Sequence, residues 1–154
     1  MTYLRYGTLT CAAMAFTFSS AAQEKKVDRA SLPPAVVKTF DGETKGATVK
    51  GFSTERENGK KVYEAETTIN GHTRDIQVAK DGTLNEVEEE VAFESLPDGV
   101  KRGLTAKAAG AKITKVESLT KGGRLVAYEA ATLRGLKKGE VQVGPGGSVL
   151  KHSE

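Results

Sequence analysis

Val62-Tyr63-Glu64-Ala65-Glu66 and, further along, Tyr128-Glu129-Ala130 decide how this chain is read, because the second stretch repeats the centre of the first. In the first stretch Tyr63, Ala65, Thr67 and Ile69 point one way, while Glu64, Glu66 and Thr68 point the other. Alternation of period two with one wet face is the pattern of an antiparallel sheet packed on one side only.

Turn signals bound this strand on both sides. Asn58-Gly59 separates it from a strand over Ala47 to Glu55, and Asn70-Gly71 leads into Thr73 to Ala79. Asp81-Gly82 then leads into Thr83 to Glu90. Such dipeptides accept the positive φ angles that tight hairpins require. Upstream, Ser31 is placed to cap a helix whose first turn tolerates Pro33 and Pro34, since its opening amides have no partner within the helix. Val36, Val37 and Phe40 share one face of it, and Gly42 and Gly46 close it.

The same elements return downstream. Leu32-Pro33 recurs as Leu96-Pro97, Val36 as Val100, and Gly46-Ala47-Thr48-Val49 as Gly110-Ala111-Lys112-Ile113, all at one spacing. One inserted residue then shifts the register. After it Ile76-Gln77-Val78 returns as Val141-Gln142-Val143, and Gly82 with Leu84 as Gly147 with Val149. The second helix has Ser95 as its cap, with Pro97, Val100, Leu104 and Ala108 behind it. Lys121-Gly122-Gly123, Gly135 to Gly139 and Pro145-Gly146-Gly147 stand at the corresponding turns.

The predicted fold class is therefore α+β, a tandem repeat of a short helix packed on a four-stranded antiparallel sheet. The division is a signal peptide over 1–22, a linker over 23–30, one copy over 31–92 and another over 93–154, joined near Phe93 to Leu96. Whether the two sheets run on into one larger curved sheet is left open by local pattern.

The ordered set of motifs resembles the PepSY-like family of exported bacterial domains, and the match runs through both copies. It rests on Val62-Tyr63-Glu64-Ala65-Glu66 with Ile76-Gln77-Val78-Ala79-Lys80-Asp81-Gly82-Thr83-Leu84. Tyr128-Glu129-Ala130 with Val141-Gln142-Val143 matches more loosely. That family is similar to the repeat unit of the β-lactamase inhibitory proteins. The resemblance implies helices on one sheet face, the other presented to a target, and a non-catalytic module that restrains peptidases or other secreted enzymes. This chain departs from the inhibitors in lacking disulfides.

The amino end reads as an export signal: Arg5, an uncharged stretch from Tyr6 to Phe18, then Ser19-Ser20-Ala21-Ala22 with cleavage after Ala22. Cys11, the one cysteine, would leave with it, so a disulfide, a thiol nucleophile or a cysteine metal site is excluded from the mature chain. A bacterial periplasm or the cell exterior suits such a chain, with no membrane association after cleavage. The 154 residues carry a net charge of +3, spread as alternating Lys and Glu without a basic block, so nucleic acid is not an expected partner.

No constellation of reactive residues emerges, so neither a catalytic site nor a cofactor is expected. His72 and His152 occupy unmatched positions and no spacing collects a metal ligand set, so no metal is expected. No Gly-x-Ser-x-Gly elbow occurs, and Gly144 to Gly147 lies between strands, which makes it a turn and not a phosphate loop. Glu86, Glu88, Glu89 and Glu90 could attract a cation or a basic partner, but charges on an edge strand that prevent edge pairing explain them better. Tyr63 and Tyr128 are assigned to the core. Glu64, Glu66, Gln77, Glu129 and Gln142 then face away from the helices and form the candidate binding surface, its plain alternative being an ordinary wet sheet face. The expected function is a non-catalytic exported binding module that takes a protein or peptide through this face and restrains a secreted peptidase or other extracytoplasmic enzyme. The alternative is a periplasmic sensor or scavenger of a small ligand or cation.

Overall fold

The computed structural model describes residues 24–57 and 59–150; the segment read as a signal peptide, Cys11 and His152 lie outside the described residues. Strand β1 (Lys25–Val27) comes first, followed by helix α1 (Pro34–Glu43) and strands β2 (Thr48–Glu57), β3 (Lys60–Ile69), β4 (His72–Ala79) and β5 (Leu84–Glu90). Helix α2 (Asp98–Ala108) then leads into β6 (Lys112–Lys121), β7 (Arg124–Arg134) and β8 (Lys137–Val143). Single 3-10 turns, Arg29–Ser31 and Phe93–Ser95, precede the two helices.

These strands form one sheet in the order β1-β2-β3-β4-β5-β6-β7-β8, each antiparallel to its neighbours. This overturns the expected fold class of two units, each with a helix on its own four-stranded sheet. The molecule is mostly β, an eight-stranded sheet with two α-helices among the described residues. The physical reason is the seam. Strand β5 pairs with β6 from Glu86↔Lys121 to Glu90↔Glu117, satisfying backbone groups that two separate sheets would leave as bare edges. The strands are also shared out unevenly, because Lys25–Val27, placed in the linker by sequence, pairs with Phe52 to Thr54 as an added edge. After β8, among the described residues, the chain adds an isolated bridge, Val143↔Val149.

Both helices lie on one face of this sheet. Val36 and Phe40 of α1 are buried with Leu32, Tyr63, Ala65, Ile76 and Val78, and Val37 and Phe52 pack at the margin. Val100 and Leu104 of α2 are buried with Leu96, Val116, Ala130 and Val143, and Tyr128 and Ile113 lean against them. Helices of 10 and 11 residues are marginal alone, and burial of this apolar stripe is what holds them. Arginines from the sheet fasten their carboxyl ends, where backbone carbonyls lack partners. Arg74 donates to the Glu43 carbonyl at 2.8 Å and its carboxylate at 3.1 Å, and Arg134 donates to the carbonyls of Ala108 and Ala109.

The expected serine caps take a different role. Pro33 and Pro97 occupy the cap positions, while the hydroxyls of Ser31 and Ser95 donate to the carbonyls of Asp28 and Ala92 and close the 3-10 turns ahead of the helices. The hairpin connections fall where the dipeptides predicted, with Gly71 at φ 85° and Gly82 at φ 88°. A register shift between Leu119 and Thr120 in β6–β7 has no counterpart in β2–β3, and it lies in the interval where the motif spacing of the two halves changes by one residue.

The last turn meets α2 at very short range. A Cβ on Gly103 would stand 2.3 Å from the carbonyl oxygen of Gly147, so only glycine fits there.

Candidate functional site

Because side chains alternate along a strand, the residues between the core positions form the face opposite the helices. Register places them in three rows. The first runs Ser53, Glu64, Gln77, Glu86, Lys121 across β2 to β6. The second runs Gly51, Glu66, Asp75, Glu88, Leu119, Ala127 across β2 to β7. The third runs Glu90, Glu117, Glu129, Gln142 across β5 to β8.

All five residues expected on this face are there, divided among the rows: Glu64 and Gln77 in the first, Glu66 in the second, Glu129 and Gln142 in the third. The structure does not gather them into one pocket. Gln77 donates to Glu55 at 3.4 Å and accepts from Asn85 at 3.4 Å, and the Gln142 amide donates to the Glu129 carboxylate. His72 is exposed at the start of β4 and belongs to none of the three rows.

The middle of the face was missed by sequence reading. Edge protection does not account for Glu86, Glu88 and Glu90, because β5 is the fifth of eight strands and has partners on both sides. Its carboxylates therefore stand at the centre of the open face. Asp75, Glu88 and Glu117 bring one carboxylate oxygen each to within 4.8 Å of one another, a grouping that could hold a divalent cation. Alternation in the sequence marks each as outward-facing; the β4–β5 and β5–β6 registers together bring them close. Two lysines stand among these acids, Lys115 at 2.7 Å from Glu117 and Lys121 at 3.1 Å from Glu86.

Packing on this face is close. Leu119 is 1% exposed and Ala127 0%, so an apolar floor lies beneath the acidic side chains. The electrostatics follow. Burial, with the charges of Glu129, Glu86 and Glu117, pushes the Glu88 carboxyl up to about 8. Burial and the charges of Asp75, Glu24, Glu55 and Glu66 push Glu64 up to about 7. Asp75 is raised by burial against the pull of Lys115, and Glu129 is raised by burial against its hydrogen bond from Gln142. Glu90 differs: it accepts from the Thr73 amide and hydroxyl, both at 3.2 Å, which hold its carboxyl below the ordinary value. Ser53, 1% exposed, keeps a hydroxyl with no hydrogen-bond partner among the described residues.

A helix-free sheet face of this kind can bind another molecule by surface complementarity. No protein-family model matches the sequence, and no curated protein matches it. Solved structures share the architecture. A DUF2874 family protein from Bacteroides ovatus superposes with a TM-score of 0.62 at 18% identity, covering 79% of this chain and 86% of that one. A BLIP-like protein from Bacteroides fragilis gives 0.58 at 17% identity, covering 77% and 83%. A protein from Bacteroides eggerthii, whose name suggests a periplasmic location, gives 0.63 at 14% identity, covering 78% and 86%. At these identities the likeness establishes the fold alone: the chain has the fold of the DUF2874 and BLIP-like proteins of Bacteroides.

Proposed function

We propose that the chain is a non-catalytic binding module of the bacterial periplasm, and that it takes a protein or peptide on the open sheet face, so restraining a secreted peptidase or another extracytoplasmic enzyme. Its two halves are, in this reading, two copies of a PepSY-like unit. One observation carries it: α1 and α2 both pack on one face, leaving the opposite face a continuous polar surface across β2 to β8. The signal-like amino end and the name of the Bacteroides eggerthii neighbour favour the periplasm. The non-catalytic reading draws on the sequence, in which two histidines and no serine elbow offer no nucleophile with its base. A second reading, capture of a divalent cation, draws on the grouping of Asp75, Glu88 and Glu117.

The test is retention. Immobilised protein is passed through periplasmic extract of the cell that exports it, beside a Glu66→Ala/Gln142→Ala variant. A specific exported enzyme should be retained by the wild type and lost by the variant, while the melting temperature moves by no more than the few degrees expected of surface substitutions. Equal retention by both rules out the face. No retained protein, together with a rise in melting temperature on adding calcium chloride, favours the second reading.

A further inference from the structure

The open face is polar, and acids outnumber bases at its centre. Along β5, Glu86, Glu88 and Glu90 point out in succession, with Asp75 beside them on β4 and Glu117 and Glu129 beyond them on β6 and β7. The two lysines in the middle are engaged with Glu117 and Glu86, and Lys26 and Lys138 stand at the two ends of the face. The chain as a whole is positive at +3, so this acidity is a local concentration and not a property of the composition. Such a face leaves repulsion that an opposite charge would relieve, and it steers cationic partners toward itself.

Spacing narrows the partner. Residues two apart in an extended chain lie about 7 Å from one another, so the three rows repeat at the interval at which an extended peptide projects alternate side chains to one side. In the first row, beside Glu64, Ser53 adds a hydroxyl on a residue 1% exposed, with no hydrogen-bond partner among the described residues. Near the centre Leu119 and Ala127, 1% and 0% exposed, underlie the acidic side chains and hold their strands in place.

We infer that this face docks an extended Lys/Arg-rich segment of an exported protein, laid along β5 with alternate cationic side chains set against Glu86, Glu88 and the neighbouring Asp75 and Glu117. The inference rests on the sheet-face reading above and adds the chemistry of the partner. Cation–carboxylate pairs set direction and register, and the half-buried setting makes each pair stronger than an exposed one.

A fluorescent decapeptide of alternating Lys and Ser, titrated into the purified protein by anisotropy, tests it. Binding should weaken at least tenfold between 50 and 300 mM NaCl, and at least tenfold in an Asp75→Asn/Glu88→Gln/Glu117→Gln variant. An Asp41→Asn/Glu94→Gln variant, altered on α1 and in the turn before α2, should bind as the wild type does. Glu88→Gln alone loses like-charge repulsion without breaking the Lys115–Glu117 pair and should melt above the wild type at pH 8.5; a lower melting temperature would overturn the electrostatic premise. Equal binding by the triple variant, equal binding of an alternating Glu-Ser peptide, or a response to calcium chloride with none to the Lys-Ser peptide would each overturn the proposal. A protein retained from extract by the wild type and the triple variant alike would leave the binding module standing and remove the cationic partner.

Discussion

Replacing Glu88 with glutamine, and measuring stability against pH, probes the centre of the open face directly. The Glu88 carboxyl titrates near 8 in the fold, against about 4.5 for an exposed glutamate, chiefly through burial and then through Glu129, Glu86 and Glu117. The folded state therefore binds a proton that the unfolded state has released throughout the window between those values. Its contribution is a penalty, absent below about pH 4.5 and complete above about pH 8, so stability must rise as pH falls through that window. Glu64, Asp75, Glu55 and Glu129 are displaced in the same direction and add to the slope. Asp81 and Glu90 are displaced the other way, and their stabilising contribution is lost only below the ordinary carboxylate range. At full burial the Glu88 displacement would correspond to about 5 kcal/mol; contact with water reduces this to about 1–3 kcal/mol. Thermal melts followed by circular dichroism should show a melting temperature about 5–10 °C higher at pH 5.5 than at pH 8.5. Glu88→Gln should raise the value at pH 8.5 and flatten the profile. A wild-type melting temperature that falls on acidification from pH 8.5 to 5.5, or an unchanged slope in the variant, would refute the reasoning.

Two helical glycines should respond oppositely to alanine. Gly42→Ala in α1 meets nothing within 4 Å and should stabilise by about 0.5–1 kcal/mol in urea unfolding, whereas Gly103→Ala in α2 drives a Cβ into the Gly147 carbonyl and should cost about 1–3 kcal/mol. Leu104→Ala empties a fully buried position between α2 and the sheet and should cost about 2–5 kcal/mol by the same measurement. Arg74→Met should lower the melting temperature by a few degrees, because the Glu43 carbonyl at the end of α1 loses its donor.

Local pattern carried a large part of this structure. Tyr63, Ala65, Ile76 and Val78 alternate strictly enough to fix which face is buried, and Val36 with Phe40 and Val100 with Leu104 identify the helix stripes. The same alternation put Glu64, Glu66, Gln77, Glu129 and Gln142 on the open side without further information. The seam was not legible. Pairing of β5 with β6 joins strands separated by a helix, and no periodicity within either strand says which partner it takes. Edge and central strands differ only in their neighbours, so Glu86, Glu88 and Glu90 were readable as protection against edge pairing. Strand β1 escaped for another reason: Lys25, Lys26 and Val27 are too few to show a period. The meeting of Asp75, Glu88 and Glu117 depends on both registers of β5 and could appear only once the seam was known.

Every strand of this sheet pairs with the strand next to it in the chain, which has a consequence for how the protein is made. A chain that emerges amino end first can lay down the sheet in order, each new strand closing on the last without waiting for a distant segment. Until β6 has formed, β5 is the growing end of the sheet, and it carries Glu86, Glu88, Glu89 and Glu90. Residues that stand mid-sheet in the finished molecule therefore lie on an edge in the half-built one, where charge disfavours pairing with a wrong neighbour.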